Sequence, residues 1–130
     1  MMKVSFSGGL KVDVDVGGKI VSTDQPTKSG GDDSAPSPLE YFFASVGACS
    51  GLYVLRFAQQ RNITTENISL ELEPVYDLDE KKYKEIKIIL NLPSDFPKKY
   101  IEAVKKAAES CTVKKIISEP PEISIEARIS

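Results

Sequence analysis

The sequence predicts a single α+β domain over residues 1–130, with the element order β-β-(β)-α-β-β-α-α-β. A chain of 130 residues has the length of one domain. Stretches in which apolar and polar residues alternate, typical of half-buried strands, occur near both ends of the chain. Between them lies one long segment that is apolar at nearly every position, which is typical of a buried helix.

The N-terminal elements are predicted to form an antiparallel meander. Residues 3–6 and 10–16 alternate between apolar and polar side chains, which predicts two strands. Gly17-Gly18 is a two-residue turn signal, and residues 20–23 continue as a partner strand.

A long loop then leads into the central helix. Residues 24–38 consist of turn formers without periodicity, which predicts a loop that is either functional or a plain disordered connector. Ser37 predicts the N-cap of a helix, with Pro38 at its first position and Glu40 completing a capping box. The helix is expected to run to about Gln60 and to be apolar on all sides. Enclosing such a helix in one small subunit is difficult, so a subunit interface is the natural cover for its second face.

The second half of the chain is predicted to contain a hairpin, two helices and a strand. Residues 66–76 and 84–91 alternate and are joined by a charged tip, which predicts the hairpin. Residues 94–110 predict a helix with one apolar face, and a short helical piece follows over residues 111–117. Alternating apolar residues over 123–129 predict a last strand.

The composition excludes several classes of function. The chain contains no histidine, so imidazole-based hydrolysis and imidazole metal ligands are excluded. Two cysteines are too few for a four-sulfur zinc site, and no phosphate-binding loop motif occurs, so we expect neither a metal nor a cofactor. A net charge of −2 argues against a nucleic-acid binder. No run of 18 apolar residues and no signal-peptide pattern occur, which predicts a cytoplasmic protein that does not enter membranes.

The chemistry that remains is thiol chemistry, carboxylate chemistry or none, and the two cysteines are the candidates for thiol chemistry. Cys49 lies within the predicted central helix among small residues, which leave room for a ligand or another backbone. Arg56 follows on about the same helix face, roughly 10 Å along the axis. Cys111 opens the last helical piece, where exposed N–H groups stabilise a thiolate. A cytosolic cysteine on an apolar helix is more often a small buried hydrophobe, so position and spacing do not establish a redox pair.

Two motifs make the chain resemble the OsmC/Ohr family, the osmotically inducible and organic hydroperoxide resistance proteins. The first is the string APSPLE over residues 35–40, followed by the buried helix that carries Ala48-Cys49. The second is the string SCTV over residues 110–113, followed by a short helix. The Pro-Leu-Glu sequence before the helix is similar to the OsmC-like branch, and the resemblance spans the whole chain.

The resemblance implies both a fold and a reaction. The implied OsmC-like fold packs antiparallel sheets on a long central Cys-bearing helix, in an intertwined homodimer with that helix at the interface. The implied reaction is thiol-dependent reduction of organic hydroperoxides in the oxidative stress response. By the resemblance, Cys49 is the peroxidatic cysteine that becomes a sulfenic acid, and Cys111 is the resolving cysteine that closes a disulfide. A dithiol reductant then restores both thiols.

The chain departs from the family's peroxidases at two charged positions. Their glutamate, ten residues before the first cysteine, corresponds to Leu39, and the acid here is Glu40. Their arginine before the helix has no counterpart, and Lys28 is the cation nearest to that place in the sequence. Glu40, Lys28 and Arg56 are therefore candidate catalytic residues beside the cysteines. For Glu40 the capping box is the structural alternative.

The substrate of such a site is expected to be a small organic hydroperoxide held by apolar side chains and the partner's helix. The expected lining residues, unless they are only core, are Phe42, Phe43, Val46, Leu52 and Tyr53. An alternative function is a redox-sensing or lipophilic-ligand-binding dimer with weak or no peroxidase turnover, which Leu39 and the missing arginine favour. A structural dimer with inert cysteines is the third possibility.

Overall fold

The computed structural model describes residues 1–129 and confirms the α+β class, with antiparallel strands and helices in the predicted order up to the last helix. The chain divides into two units, Met1–Ala44 and a second that begins at Ser45. The boundary falls inside the long helix, and each unit is described by itself.

The first unit contains a three-stranded antiparallel sheet in the order β1-β2-β3. Its strands are β1 (Lys3–Gly8), β2 (Lys11–Val16) and β3 (Lys19–Thr23). The predicted turn between β2 and β3 is confirmed, with positive φ angles of 60° at Gly17 and 89° at Gly18. Two successive positive φ angles are what a two-residue hairpin turn requires, and glycine adopts them without strain.

The long loop after β3 is organised by one buried carboxylate, which the sequence analysis missed. Asp24 is 1% exposed and accepts hydrogen bonds from the backbone N–H groups of Gln25, Asp32 and Ser34 and from the Ser34 hydroxyl. These bonds, led by the Ser34 hydroxyl, lower the pKa of Asp24 to about 2. The loop, which includes a short 3-10 helix over Thr27–Ser29, is therefore held in one conformation and is not a plain disordered connector.

The long helix α1 (Pro38–Gln60) begins and ends where the sequence predicts. The capping box is present: the Ser37 N–H donates to the Glu40 carboxylate at 3.0 Å, and the Glu40 N–H donates to the Ser37 hydroxyl at 3.3 Å. In the isolated chain α1 is buried along one face only, so the expectation of burial on every side is not met within one subunit. The large apolar side chains that stay exposed on it are Leu39, Phe42, Leu52 and Leu55.

By length and composition alone, α1 is long and apolar enough to cross a membrane. The expectation that the protein does not enter membranes stays a prediction. Core helices of soluble proteins can have the same length and composition, and α1 contributes Val54 and Phe57 to the core of the second unit.

The second unit packs α1 against a hairpin and two helices. The hairpin consists of β4 (Ser69–Asp77) and β5 (Lys82–Asn91), and the helices are α2 (Ile101–Glu109) and α3 (Thr112–Ser118). The core is a cluster of Val54, Phe57, Phe96 and Val104, and hairpin residues such as Leu70 and Leu90 pack against it. Burial of these side chains holds the end of α2, and therefore Cys111, beside α1.

The predicted last strand is the main error at the level of elements. Residues 120–129 have no regular secondary structure, and the side chains of Ile123, Ile125 and Ile129 are 87%, 96% and 102% exposed. The alternating pattern predicts a strand with one apolar face that packs against a core. Among residues 1–129, however, no strand pairs with this segment.

Candidate thiol site

Cys49 lies on α1 as a half-buried free thiol. The glycines on either side have different surroundings. A side chain at Gly47 would meet the Leu72 side chain at an ordinary contact distance of 3.5 Å, whereas one at Gly51 would meet no described atom within 4 Å. Gly51 therefore leaves open space beside Cys49, and packing among residues 1–129 requires neither glycine.

The groups that face the Cys49 sulfur belong to the start of α3. The pKa of Cys49 is lowered, chiefly by a hydrogen bond from the backbone N–H of Val113, against the opposing effect of burial. The thiol of Cys111 and the N–H of Thr112 lower it further. Within residues 1–129, the groups responsible include no side-chain cation. Peptide N–H groups at the start of a helix therefore lower the pKa of this thiol.

Cys111 is a fully buried free thiol that caps α3, with 0% of its surface exposed. Its sulfur accepts a hydrogen bond from the Lys114 N–H at 3.4 Å and donates to the Val46 carbonyl of α1 at 3.9 Å. Cysteine takes here the N-cap position that Ser, Thr, Asp or Asn usually occupies. The structure thus brings together both cysteines predicted from the sequence, an accessible one and a buried one.

Two hydroxyl groups that the sequence analysis did not single out for this purpose join α1 to the Cys111 segment. The buried Ser50 hydroxyl donates to the Ala108 carbonyl of α2 at 3.0 Å. The Tyr53 hydroxyl and the Thr112 hydroxyl lie 3.3 Å apart. The sequence signal available for Ser50 was a hydroxyl-bearing residue beside a cysteine in the apolar middle of α1.

The three charged candidates occupy separate positions. Glu40 belongs to the capping box, and the hydrogen bonds from the Ser37 backbone and hydroxyl lower the pKa of its carboxyl. Arg56 is exposed, with its guanidinium carbon 5.8 Å from the centre of the Tyr53 ring. Lys28 lies in the 3-10 helix of the first unit. Their catalytic roles stay predictions.

The five predicted lining residues differ in exposure. Val46 is buried, Phe43 and Tyr53 are half-buried, and Phe42 and Leu52 are exposed. A shallow cavity of about 350 Å³ lies elsewhere, among polar residues of α2 and α3 that include Glu109, Lys114, Lys115 and Ser118. An apolar pocket formed by the five residues stays a prediction.

A metal site receives no support from the described residues. Among residues 1–129, no group of three or more cysteine, aspartate or glutamate side chains is placed to hold an ion.

Comparison with known families and structures gives a consistent result. A family model described as OsmC-like protein matches residues 31–126, which includes both cysteines. A search of curated proteins finds no match.

Several solved structures share the fold. A protein from Psychrobacter arcticus 273-4, whose name assigns it to the osmotic stress and detoxification response, has a TM-score of 0.74 and 22% identity, over 88% of this chain and 85% of that one. An organic hydroperoxide resistance protein OsmC from Legionella pneumophila has a TM-score of 0.56 and 25% identity, over 90% and 87%. The organic hydroperoxide resistance protein OhrB of Bacillus subtilis has a TM-score of 0.52 and 21% identity, over 89% and 90%.

Proposed function

The chain belongs to the OsmC-like protein family, and we propose on that premise that it is a thiol-dependent peroxidase that reduces organic hydroperoxides. The observation that carries the proposal is the approach of two free cysteines of unequal exposure, with the pKa of the accessible one, Cys49, lowered by the start of α3. A lowered pKa increases the thiolate fraction at neutral pH, and the thiolate is the nucleophile that attacks a peroxide. Two structural neighbours are named organic hydroperoxide resistance proteins, which supports the same reaction.

The proposed reaction proceeds in three balanced steps. The Cys49 thiolate attacks one peroxide oxygen, the O–O bond breaks, and the alkoxide takes up a proton and leaves as an alcohol, so that Cys49 becomes a sulfenic acid. The Cys111 thiol then attacks the Cys49 sulfur and forms a disulfide, and the hydroxyl leaves as water. An external dithiol reduces that disulfide by exchange and is itself oxidised to a disulfide.

The contacts of the two cysteines suit these different roles. Cys49 is half-buried and within reach of a small molecule, as the first step requires. Cys111 is buried against Val46, where it is protected from peroxide but stays close to Cys49. Its hydrogen bond from Lys114 holds the sulfur in place at the start of α3.

The expected substrate, partners and location follow from the same proposal. The exposed Leu52 and the half-buried Tyr53 offer apolar surface on α1 in the second unit, so a bulky organic peroxide is favoured over hydrogen peroxide by about 0.8 kcal/mol per buried CH₂. A homodimer would supply the partner helix that closes the site. The reductant is a dithiol, and the expected location is the cytoplasm, where both thiols remain reduced.

The test assigns the two roles by mutation. Cys49→Ser should abolish reduction of cumene hydroperoxide, because the attacking thiolate is gone. Cys111→Ser should permit one oxidation and leave a sulfenic acid on Cys49 that dimedone labels. Mass mapping of the dimedone adduct to Cys111 in wild-type protein would reverse the assignment, and a fully active Cys49→Ser variant would refute the proposal.

The alternative is a redox-sensing or lipophilic-ligand-binding dimer with weak or no turnover. The observation that favours it is Leu39, which stands where the family's peroxidases carry a glutamate and is 48% exposed. Under this alternative, peroxide oxidises Cys49 slowly and a dithiol supports no repeated turnover.

A further inference from the structure

We propose that Ser50 is a positioning residue for this reaction, whose hydroxyl holds the Cys111 segment against α1 and so sets the approach of the two thiols. The proposal rests on the proposed function for its reaction. Its geometric basis is the hydrogen bond from the Ser50 hydroxyl to the Ala108 carbonyl, 3.0 Å long, which joins α1 to α2 just before Cys111.

The direction of this bond is unusual for a serine inside a helix. Such a hydroxyl commonly donates to the carbonyl one turn earlier in its own helix, which for Ser50 is the Val46 carbonyl. Here Val46 accepts a hydrogen bond from the Cys111 thiol at 3.9 Å, and Ser50 donates to Ala108. One turn of α1 therefore makes two polar contacts with the chain around Cys111, and both Val46 and Ser50 are buried, at 4% and 1% exposure.

The hydrogen bond from Ser50 to Ala108 also gives a partner to a carbonyl group at the end of α2. The last carbonyl groups of a helix lack partners within the helix and need other donors. Ser110 provides two of these donors. Its hydroxyl donates to the Lys106 carbonyl at 3.2 Å, and its N–H donates to the Ala107 carbonyl at 3.1 Å. Ser50 supplies the donor for Ala108. Without it, a half-buried carbonyl three residues before Cys111 loses its partner, and the segment is free to shift.

Such a shift would reach Cys49 through the start of α3. The Thr112 and Val113 N–H groups that stabilise the Cys49 thiolate follow Cys111 directly in the chain. Displacing them by a fraction of an ångström weakens that stabilisation and moves Cys111 away from the sulfenic acid. A purely structural role for Ser50 would lower the stability of the fold without changing the titration of Cys49 in the folded protein.

The test compares Ser50→Ala, Ser50→Thr and Ser50→Val with wild type. Thr and Val have nearly the same shape, so their difference isolates the hydroxyl, and this pair carries the test even where Ser50→Ala fails to fold. Ser69→Ala is the control, because it removes an exposed serine hydroxyl on β4 that also takes part in a hydrogen bond. Each folded variant is alkylated over a range of pH, and the label is mapped to Cys49.

We expect Ser50→Ala and Ser50→Val to alkylate up to about tenfold more slowly at neutral pH, because the pKa of Cys49 rises when the N–H groups of α3 move away from its sulfur. Disulfide closure after one equivalent of cumene hydroperoxide should also slow by about tenfold, since misplaced reacting groups lose rate steeply. Ser50→Thr and Ser69→Ala should behave as wild type. Equal alkylation midpoints and closure rates in the Thr and Val variants would overturn the inference.

The two proposals fail in distinguishable ways. If wild-type protein forms neither a sulfenic acid nor a disulfide with peroxide, the proposed function fails. The alkylation profile uses no peroxide, so it still decides whether Ser50 positions the start of α3 against Cys49.

Discussion

At the scale of single residues, the pH dependence of Cys49 is the property that the structure determines most directly. Peptide N–H groups of α3 lower its pKa, so the thiolate should appear as the pH rises through a value below the ordinary one of about 8.5. Because these donors are peptide groups, Lys28→Met and Arg56→Met should each leave the alkylation midpoint below that ordinary value.

The control for this prediction is Lys19→Met, which removes an exposed cation from β3. A midpoint that returns to the ordinary value in Lys28→Met or in Arg56→Met, but not in the control, would show that a side-chain cation is the main source of thiolate stabilisation.

A second residue-scale prediction concerns Asp24, whose carboxylate is stabilised by hydrogen bonds in the folded loop. Its folded pKa of about 2 lies below its unfolded value of about 3.9, so it stabilises the fold above the unfolded value. That contribution is lost as the pH falls through about 2. Asp24→Asn should therefore unfold at lower urea concentration than wild type at pH 7, and the difference should shrink between about pH 4 and pH 2.

Asp33→Asn is the matched control for Asp24, because it neutralises an exposed carboxylate in the same loop. If Asp24→Asn and wild type show the same dependence of urea midpoint on pH, the buried carboxylate does not stabilise the loop in the way described.

Buried polar side chains show the limit of prediction from sequence at the scale of single residues. Cys49 and Cys111 could be identified because their neighbours match a family motif. Ser50 and Asp24 are polar types that are usually exposed. Their burial depends on partners, Ala108 and the loop backbone, that only the folded chain brings within reach.

At the scale of elements, substitutions of Glu40 at the start of α1 distinguish a helix-capping role from a catalytic role. Glutamine at this position also completes a capping box, whereas alanine cannot. Glu40→Gln should keep both the stability and the thiol reactivity of wild type, and Glu40→Ala should unfold at a lower temperature, because it leaves the Ser37 N–H without its acceptor. Thermal unfolding and cumene hydroperoxide turnover are the measurements. A stable Glu40→Gln variant without turnover would assign the carboxylate to catalysis.

The ends of elements were predictable where local chemistry decides them. The Ser37–Glu40 capping box placed the start of α1, and Gly17-Gly18 placed the turn between β2 and β3. The strand predicted over residues 123–129 was wrong for a different reason. A strand needs a partner for its hydrogen bonds, and alternation of side chains carries no information on whether the same chain provides one.

At the scale of the whole molecule, exposed apolar side chains lead us to predict a homodimer. They occur on α1 and on the C-terminal segment, at Leu52, Leu55, Ile123 and Ile125. Large apolar side chains exposed to water gain free energy when a partner covers them. Light scattering at micromolar concentration should give twice the mass of one chain, and Leu55→Glu should shift the protein toward monomer because it places a charge on the exposed face of α1.

Leu78→Glu is the control for the dimer, since Leu78 is an equally apolar residue at the tip of the hairpin between β4 and β5. A monomer of wild-type protein, or equal dissociation by the two substitutions, would contradict a dimer built on α1. The sequence indicated the need for a partner through the all-round apolar character of α1, but it could not show which face would remain uncovered.

The measurement that tests the central proposal most directly is a thiol count after peroxide treatment. Reduced protein is mixed with one equivalent of cumene hydroperoxide or of hydrogen peroxide, and free thiols and disulfide-linked peptides are quantified over time. We predict rapid loss of both thiols into a Cys49–Cys111 disulfide, faster with cumene hydroperoxide, and full recovery on addition of a dithiol. An unchanged count of two free thiols with either peroxide would contradict the assignment of this protein as a peroxidase.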